Sequence, residues 1–118
     1  MDILIVRKPV DRETLLALAE AWHKTFVKGV VDVNSGLMAL GGEWHKNAQN
    51  LLITGGSNPK NLWGFSVYPE KKGEEVIEYE SLINVRPKEG NLGREISNEE
   101  TRRAVRKLVA LSIPSLGL

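Results

Sequence analysis

The chain has 118 residues, 42% of them hydrophobic and 26% charged, the balance of a globular domain able to bury a core without disulfides or metal. Sixteen basic and fifteen acidic residues leave a net charge of +1, which argues against a broadly basic nucleic-acid binder. The absence of cysteine excludes disulfide scaffolds, thiolate zinc sites and cysteine nucleophiles.

In chain order, the apolar run Ile3–Val6 predicts a first strand that Pro9 ends. The opening MDILIVRKPV is too charged, and its apolar run too short, for a signal peptide. No segment approaches the roughly 18 apolar residues that span a bilayer, so no membrane association and a cytoplasmic setting are expected. Asp11 is placed to cap a helix whose stripe is Leu15, Leu18, Ala19, Trp22 and Phe26. Residues 27–40 predict two strands around the turn Asn34-Ser35-Gly36. Gly41-Gly42 break the second strand, and Trp44, Ala48, Leu51 and Leu52 mark the inner face of a second helix. Residues 54–61 form a loop by composition.

LWGFSVYP (62–69) alternates, with Trp63, Phe65 and Val67 on one face. After a turn, residues 74–87 predict the longest strand, with Ile77, Tyr79, Ile83 and Val85 toward the core and Glu78, Glu80, Asn84 and Arg86 on a wet face. Pro87 ends it, and a glycine-containing loop follows. Ser97 and Glu100 form a capping box for a last helix. Its inner face is Thr101, Val105, Leu108 and Ser112, with Ala104 and Leu111 beside them. The expectation is a single two-layer α+β domain over residues 1–113, in the order β-α-β-β-α-β-β-α. Its helices pack on one side of a mixed or antiparallel sheet, and residues 114–118 form a flexible tail.

Three surfaces are candidates for chemistry. Gly41-Gly42 leading into a helix leaves amides that could hold an anion, although Glu43 is placed to satisfy them itself. His45 has no evident structural task. Two histidines without a His-x-x-x-His pair indicate no metal site. The calcium-loop spacing from Asp32 through Asn34 to Glu43 fails because Leu37 stands where the sharp-turn glycine is required. On the predicted wet face and the loop beyond it, Arg86 and Arg94 could grip an anion, with Asn91 nearby. Glu78 and Glu80 are a candidate acid/base pair. Arg102, Arg103, Arg106 and Lys107 on the last helix could touch nucleic acid, but Glu99 and Glu100 dilute that patch and a solvated face is the stronger reading. Phosphate-binding glycine motifs and nucleophile elbows are absent, and no cofactor is indicated.

The stretches GGEWH, LWGFSVYPE and SLINVRPKEGN, taken together, resemble a family of small prokaryotic proteins described only as a domain of unknown function. The resemblance runs from about Val27 to the last helix. Matching positions include Glu43, His45, Gly56, Ser57, Trp63, Gly64, Tyr68, Pro69, Arg86, Pro87, Gly90 and Asn91. The family pattern after Glu43 resembles Glu-Leu-His-Ala-Asp-Ala-Glu, whereas Asn47 and Gln49 replace acidic residues here. Amides cannot act as acids or bases, so the departure weakens a catalytic reading of this helix and leaves open whether the protein is an enzyme. The resemblance implies no established activity.

The leading expectation is a domain that binds an anionic small molecule, such as a nucleotide, where Glu43 and His45 meet Arg86, Asn91 and Arg94. The alternatives are a protein partner or homo-oligomer on the exposed strand face, and weak nucleic-acid contact through the last helix.

Overall fold

A computed structural model describes residues 3–118 of the chain. Five strands form one antiparallel sheet: β1 (Leu4–Val6), β2 (Val27–Asp32), β3 (Met38–Leu40), β4 (Leu62–Val67) and β5 (Ile77–Glu78), in the order β1-β3-β2-β4-β5. Three helices join them: α1 (Arg12–Trp22), α2 (His45–Thr54) and α3 (Glu99–Ser112). The α+β class and the element order expected from the sequence are borne out. Among the described residues, no helix is long and apolar enough to cross a membrane.

Local signals explain most boundaries. The Asp11 carboxylate accepts the Thr14 amide at 2.8 Å and starts α1. In the β2–β3 turn, Asp32 Oδ1 accepts the amides of Asn34 and Ser35, and Ser57 donates to Oδ2. Burial pushes the Asp32 carboxyl up, but these bonds outweigh it and hold it below the usual range. Gly41 and Gly42 have φ of 110° and 93°, which lets β3 swing into α2. The cap of α3 is Asn98, which accepts the Thr101 amide at 3.0 Å, rather than Ser97.

The helices do not share one side of the sheet as expected. Leu15, Leu18 and Ala19 of α1 and Val105 and Val109 of α3 pack with Val27, Val31, Phe65 and Val67 on one face. Ala48 and Leu52 of α2 pack with Val30, Ala39 and Leu62 on the other. Side chains alternate along a strand, and β2 carries valines of both parities, so both its faces need cover. Trp44, expected in the core, is 59% exposed, and Leu51 and Leu111 also face outward. Residues 114–118, expected as a loose tail, begin with a 3-10 turn, and Leu116 and Leu118 lie against the larger core.

The largest departure is the predicted strand 74–87. Residues Gly73–Val76 form a 3-10 turn, and β5 covers only Ile77–Glu78. A second 3-10 turn at Leu82–Asn84 follows, where Ser81 Oγ accepts the Ile83 amide at 3.2 Å. That side-chain bond offers the backbone a local alternative to the ladder and curls it out of register. Consequently Tyr79 packs toward the α1/α3 core and Ile83 toward the α2 core, although both occupy odd positions.

Candidate functional site

The outer edge of β4 shows how side chains replace the missing strand. Glu78 and Ile77 pair with Ser66 and Val67. Opposite Gly64 the fully buried Asn84 carboxamide takes over: Oδ1 accepts the Gly64 amide at 2.8 Å, and Nδ2 donates to the Gly64 carbonyl at 3.0 Å. Further along, the Arg86 guanidinium donates to the carbonyls of Leu62, Lys60 (2.9 Å) and Ile83 (3.3 Å), and lies 4.0 Å over the Trp63 ring. A Cβ on Gly64 would come within 2.6 Å of Ser81 Cβ, so glycine is what lets this segment close on β4.

Asn91 holds the loop behind it. Its Nδ2 donates to the carbonyls of Asn84, Gly93 and Glu95, and its Oδ1 accepts from the amide and hydroxyl of Ser97. Arg86 and Asn91 are also bridged through their backbones, with Gly90 at φ 86° closing the turn between them. Two residues expected to grip a ligand are therefore engaged with the protein's own backbone. Burial lowers the Arg86 pKa, yet a guanidinium stays charged and its donors stay occupied.

His45 begins α2 and is buried, with 9% exposure. Its Nε2 lies 2.7 Å from the Phe65 carbonyl, an acceptor only, so Nε2 carries the proton. Burial, the adjacent Lys28 and His23 lower its pKa from 6.5 to about 4 against the Phe65 bond, which favours the charged form. At neutral pH the ring is therefore uncharged and Nδ1 is a bare acceptor. Glu43 does not close the helix start; the Trp44 amide donates to Asn47 Oδ1 at 3.1 Å, and the Glu43 carbonyl accepts from His23 Nε2. Asn47, a departure from the family pattern, is thus the residue that caps α2.

His45 lines a cleft of about 660 Å³ between the start of α2 and the 78–85 segment. The register of the sheet lays Lys28, Ser66 and Glu78 side by side along its floor. Trp44, Lys46, Glu80, Arg94, Leu82 and Val85 form the walls, and Lys28 Nζ stands 4.9 Å over the Trp44 ring. Of the residues expected at the site, His45, Arg94, Glu78 and Glu80 come together here; Arg86 and Asn91 do not line the cleft, nor does Glu43. Tyr68 donates to Glu78 at 3.3 Å, and burial followed by the Glu78 charge raises its pKa. Lys28, Lys46 and Ser66 carry no motif, and only the strand register brings them to the site. Their signal was the small polar Ser66 inside an otherwise apolar strand.

A second cleft, of about 820 Å³, lies between β5 and α3. Arg102 in its wall is committed to Glu95 at 2.6 Å and to the Ile96 carbonyl, and stacks on Tyr79. No group of three or more histidine, aspartate or glutamate side chains able to hold a metal ion occurs among the described residues.

The fold and cleft define a small α+β domain organised around one strand, β4, which carries one motif stretch and on which the other two converge: His45 on Phe65, Ser81 and Asn84 on Gly64, Arg86 on Leu62. The family described as Protein of unknown function (DUF5674) matches residues 4–111, and the chain belongs to it. This bears out the resemblance drawn from the sequence. Comparisons with curated proteins and with solved structures gave no match.

Proposed function

We propose that the protein binds an anionic small molecule, a nucleotide or another phosphorylated or carboxylated metabolite, in the cleft at the start of α2, and that it does so in the cytoplasm. The observation that carries this reading is that Lys28, Lys46 and Arg94 line one cleft together with a buried, uncharged His45 at the start of α2. None of these three cations is in an ion pair within 4 Å among the described residues. The His45 pKa lies well below the neutral range, which suits a hydrogen-bond acceptor better than a general base.

The test is a thermal-shift panel of inorganic phosphate, nucleotides, sugar phosphates and carboxylates. A rise in Tm that shrinks with added salt and is lost in Lys46→Ala and Arg94→Ala is expected. A flat response across the panel overturns the reading. A second reading, docking of a protein partner, is favoured by the exposure of Trp44, Leu82 and Val85 on the same rim. Self-association abolished by Trp44→Ser, with no response to anions, would replace the first reading with this one.

A further inference from the structure

The anion-binding reading accounts for the cations of the cleft and leaves its carboxylates unused. Glu78 and Glu80 line the same space, and neither is in an ion pair within 4 Å among the described residues. The sheet fixes the place of Glu78: Lys28 on β2, Ser66 on β4 and Glu78 on β5 are direct cross-strand neighbours on the α2 face, and Glu80 follows in a bridge to Glu95. The floor therefore runs from positive to negative across two strand spacings, roughly 10 Å between backbones. At the β5 end a purely anionic ligand would face two carboxylates against one cation, Arg94, whose carbonyl accepts the Ser81 amide. A ligand whose own charge reverses along its length would meet attraction at both ends.

Two polar atoms of largely buried residues mark the middle of this gradient. Ser66 is 3% exposed and its hydroxyl makes no hydrogen bond among the described residues, yet no fully enclosed side-chain oxygen or nitrogen is unpartnered, so Oγ opens on the cleft. His45 Nδ1 is in the same position, since the Phe65 carbonyl engages only Nε2. His45 Nδ1 and the two carboxylates are acceptors whose unused lone pairs a ligand's donors can fill, with Glu78 already accepting from the Tyr68 hydroxyl at 3.3 Å. A protonated amine supplies several donors at once.

We infer that the ligand is dipolar, carrying a carboxylate or phosphate and a protonated amine a few bonds away. The anionic group lies toward Lys28, Lys46 and the α2 amides; the amine lies toward Glu78 and Glu80 with Ser66 and His45 Nδ1 between. This rests on the anion-binding reading and narrows it to amino acids and phosphorylated amines. Leu82, Val85 and Trp44 give such a ligand's apolar part a wall.

Calorimetry separates the cases with two matched series: L-leucine, 4-methylpentanoate and isopentylamine; then phosphoethanolamine, ethyl phosphate and ethylamine. At least one dipolar compound is expected to bind about tenfold or more tighter than either of its halves, as a charged hydrogen bond contributes. The two series show which anionic group is used. Glu80→Gln is expected to erase that preference by weakening the dipolar compound, while the anionic half binds no more weakly than before. Ser66→Ala, which removes a hydroxyl that makes no hydrogen bond to the protein among the described residues, should weaken the dipolar ligand several-fold without lowering Tm. Equal binding of the dipolar and anionic compounds, unaltered by Glu80→Gln, overturns the inference and leaves the anion reading standing. Binding of none of the six overturns the inference and leaves the anion reading to the thermal-shift panel; binding of the amine alone overturns both.

Discussion

On the α1/α3 face, Leu15, Leu18, Phe65, Val67, Val105 and Val109 meet from two helices and the sheet. On the α2 face, Val30, Ala39, Ala48, Leu52 and Leu62 meet beneath one ten-residue helix, and the rest of that face is covered by a folded loop. The first arrangement is sealed by interlocking apolar side chains. The second is sealed by hydrogen bonds from Asn84, Arg86 and His45 to the edge and carbonyls of β4, and the cleft lies between helix and loop. The contrast teaches that the cleft at His45 arises where polar side chains, rather than a second helix, finish the sheet.

If that contrast is sound, the two faces should fail differently. Phe65→Ala empties the centre of the sealed face and is expected to cost about 3–5 kcal/mol in chemical denaturation, the largest effect expected of any single truncation on either face. On the other face the cost should depend on pH through His45. The folded ring resists protonation until about pH 4, while the unfolded ring takes its proton near 6.5. The unfolded state thus binds more protons within that window. Stability is full above pH 6.5, declines by about 3 kcal/mol as pH falls toward 4, and levels off below. His45→Gln keeps a donor near the Phe65 carbonyl and should flatten this component; an unchanged slope would contradict the assignment.

Asn84→Ala strands the Gly64 amide and carbonyl at a buried edge and is expected to cost about 2–3 kcal/mol by the same denaturation measurement. Gly64→Ala, which drives a Cβ into Ser81, should cost about 1–3 kcal/mol and loosen the loop in hydrogen exchange before it affects α1 or α3. The smallest effect is Trp44→Ser, expected within about 0.5 kcal/mol because the ring is largely in solvent. A large loss there would mean that the rim is part of the core after all.

Much of the sealed face was legible in the residues. Asp11 announces α1, Asn34-Ser35-Gly36 announces the β2–β3 turn, and the Leu15/Leu18/Ala19 stripe identifies the buried side. The open face was not, and the reason is physical. Alternation in 74–87 satisfies the strand pattern equally well whether the backbone or the Asn84 and Arg86 side chains complete the β4 ladder. Periodicity therefore could not reveal that Ser81 turns the chain. Trp44 reads as core by residue type, yet one step along the helix His45 takes the inward place because the Phe65 carbonyl offers it a partner. Arg86 and Asn91 look free for ligands in the sequence, since sequence does not show acceptors. Arg94, Glu78 and Glu80 stand with His45 at one cleft. Lys28 and Ser66 join them through a register that only the paired strands define.

The completion of β4 by Asn84 and Arg86 bears on solubility as well. A strand margin with free amides and carbonyls invites another chain to add to it, and proteins commonly blunt such margins. Here the blunting rests on a carboxamide and a guanidinium, while the opposite margin of the sheet is β1, only three residues long. Release of the 81–91 loop would bare most of β4, an apolar strand of six residues, without unfolding the rest of the domain. Aggregation on heating should accordingly begin at that loop and track its local opening rather than global melting.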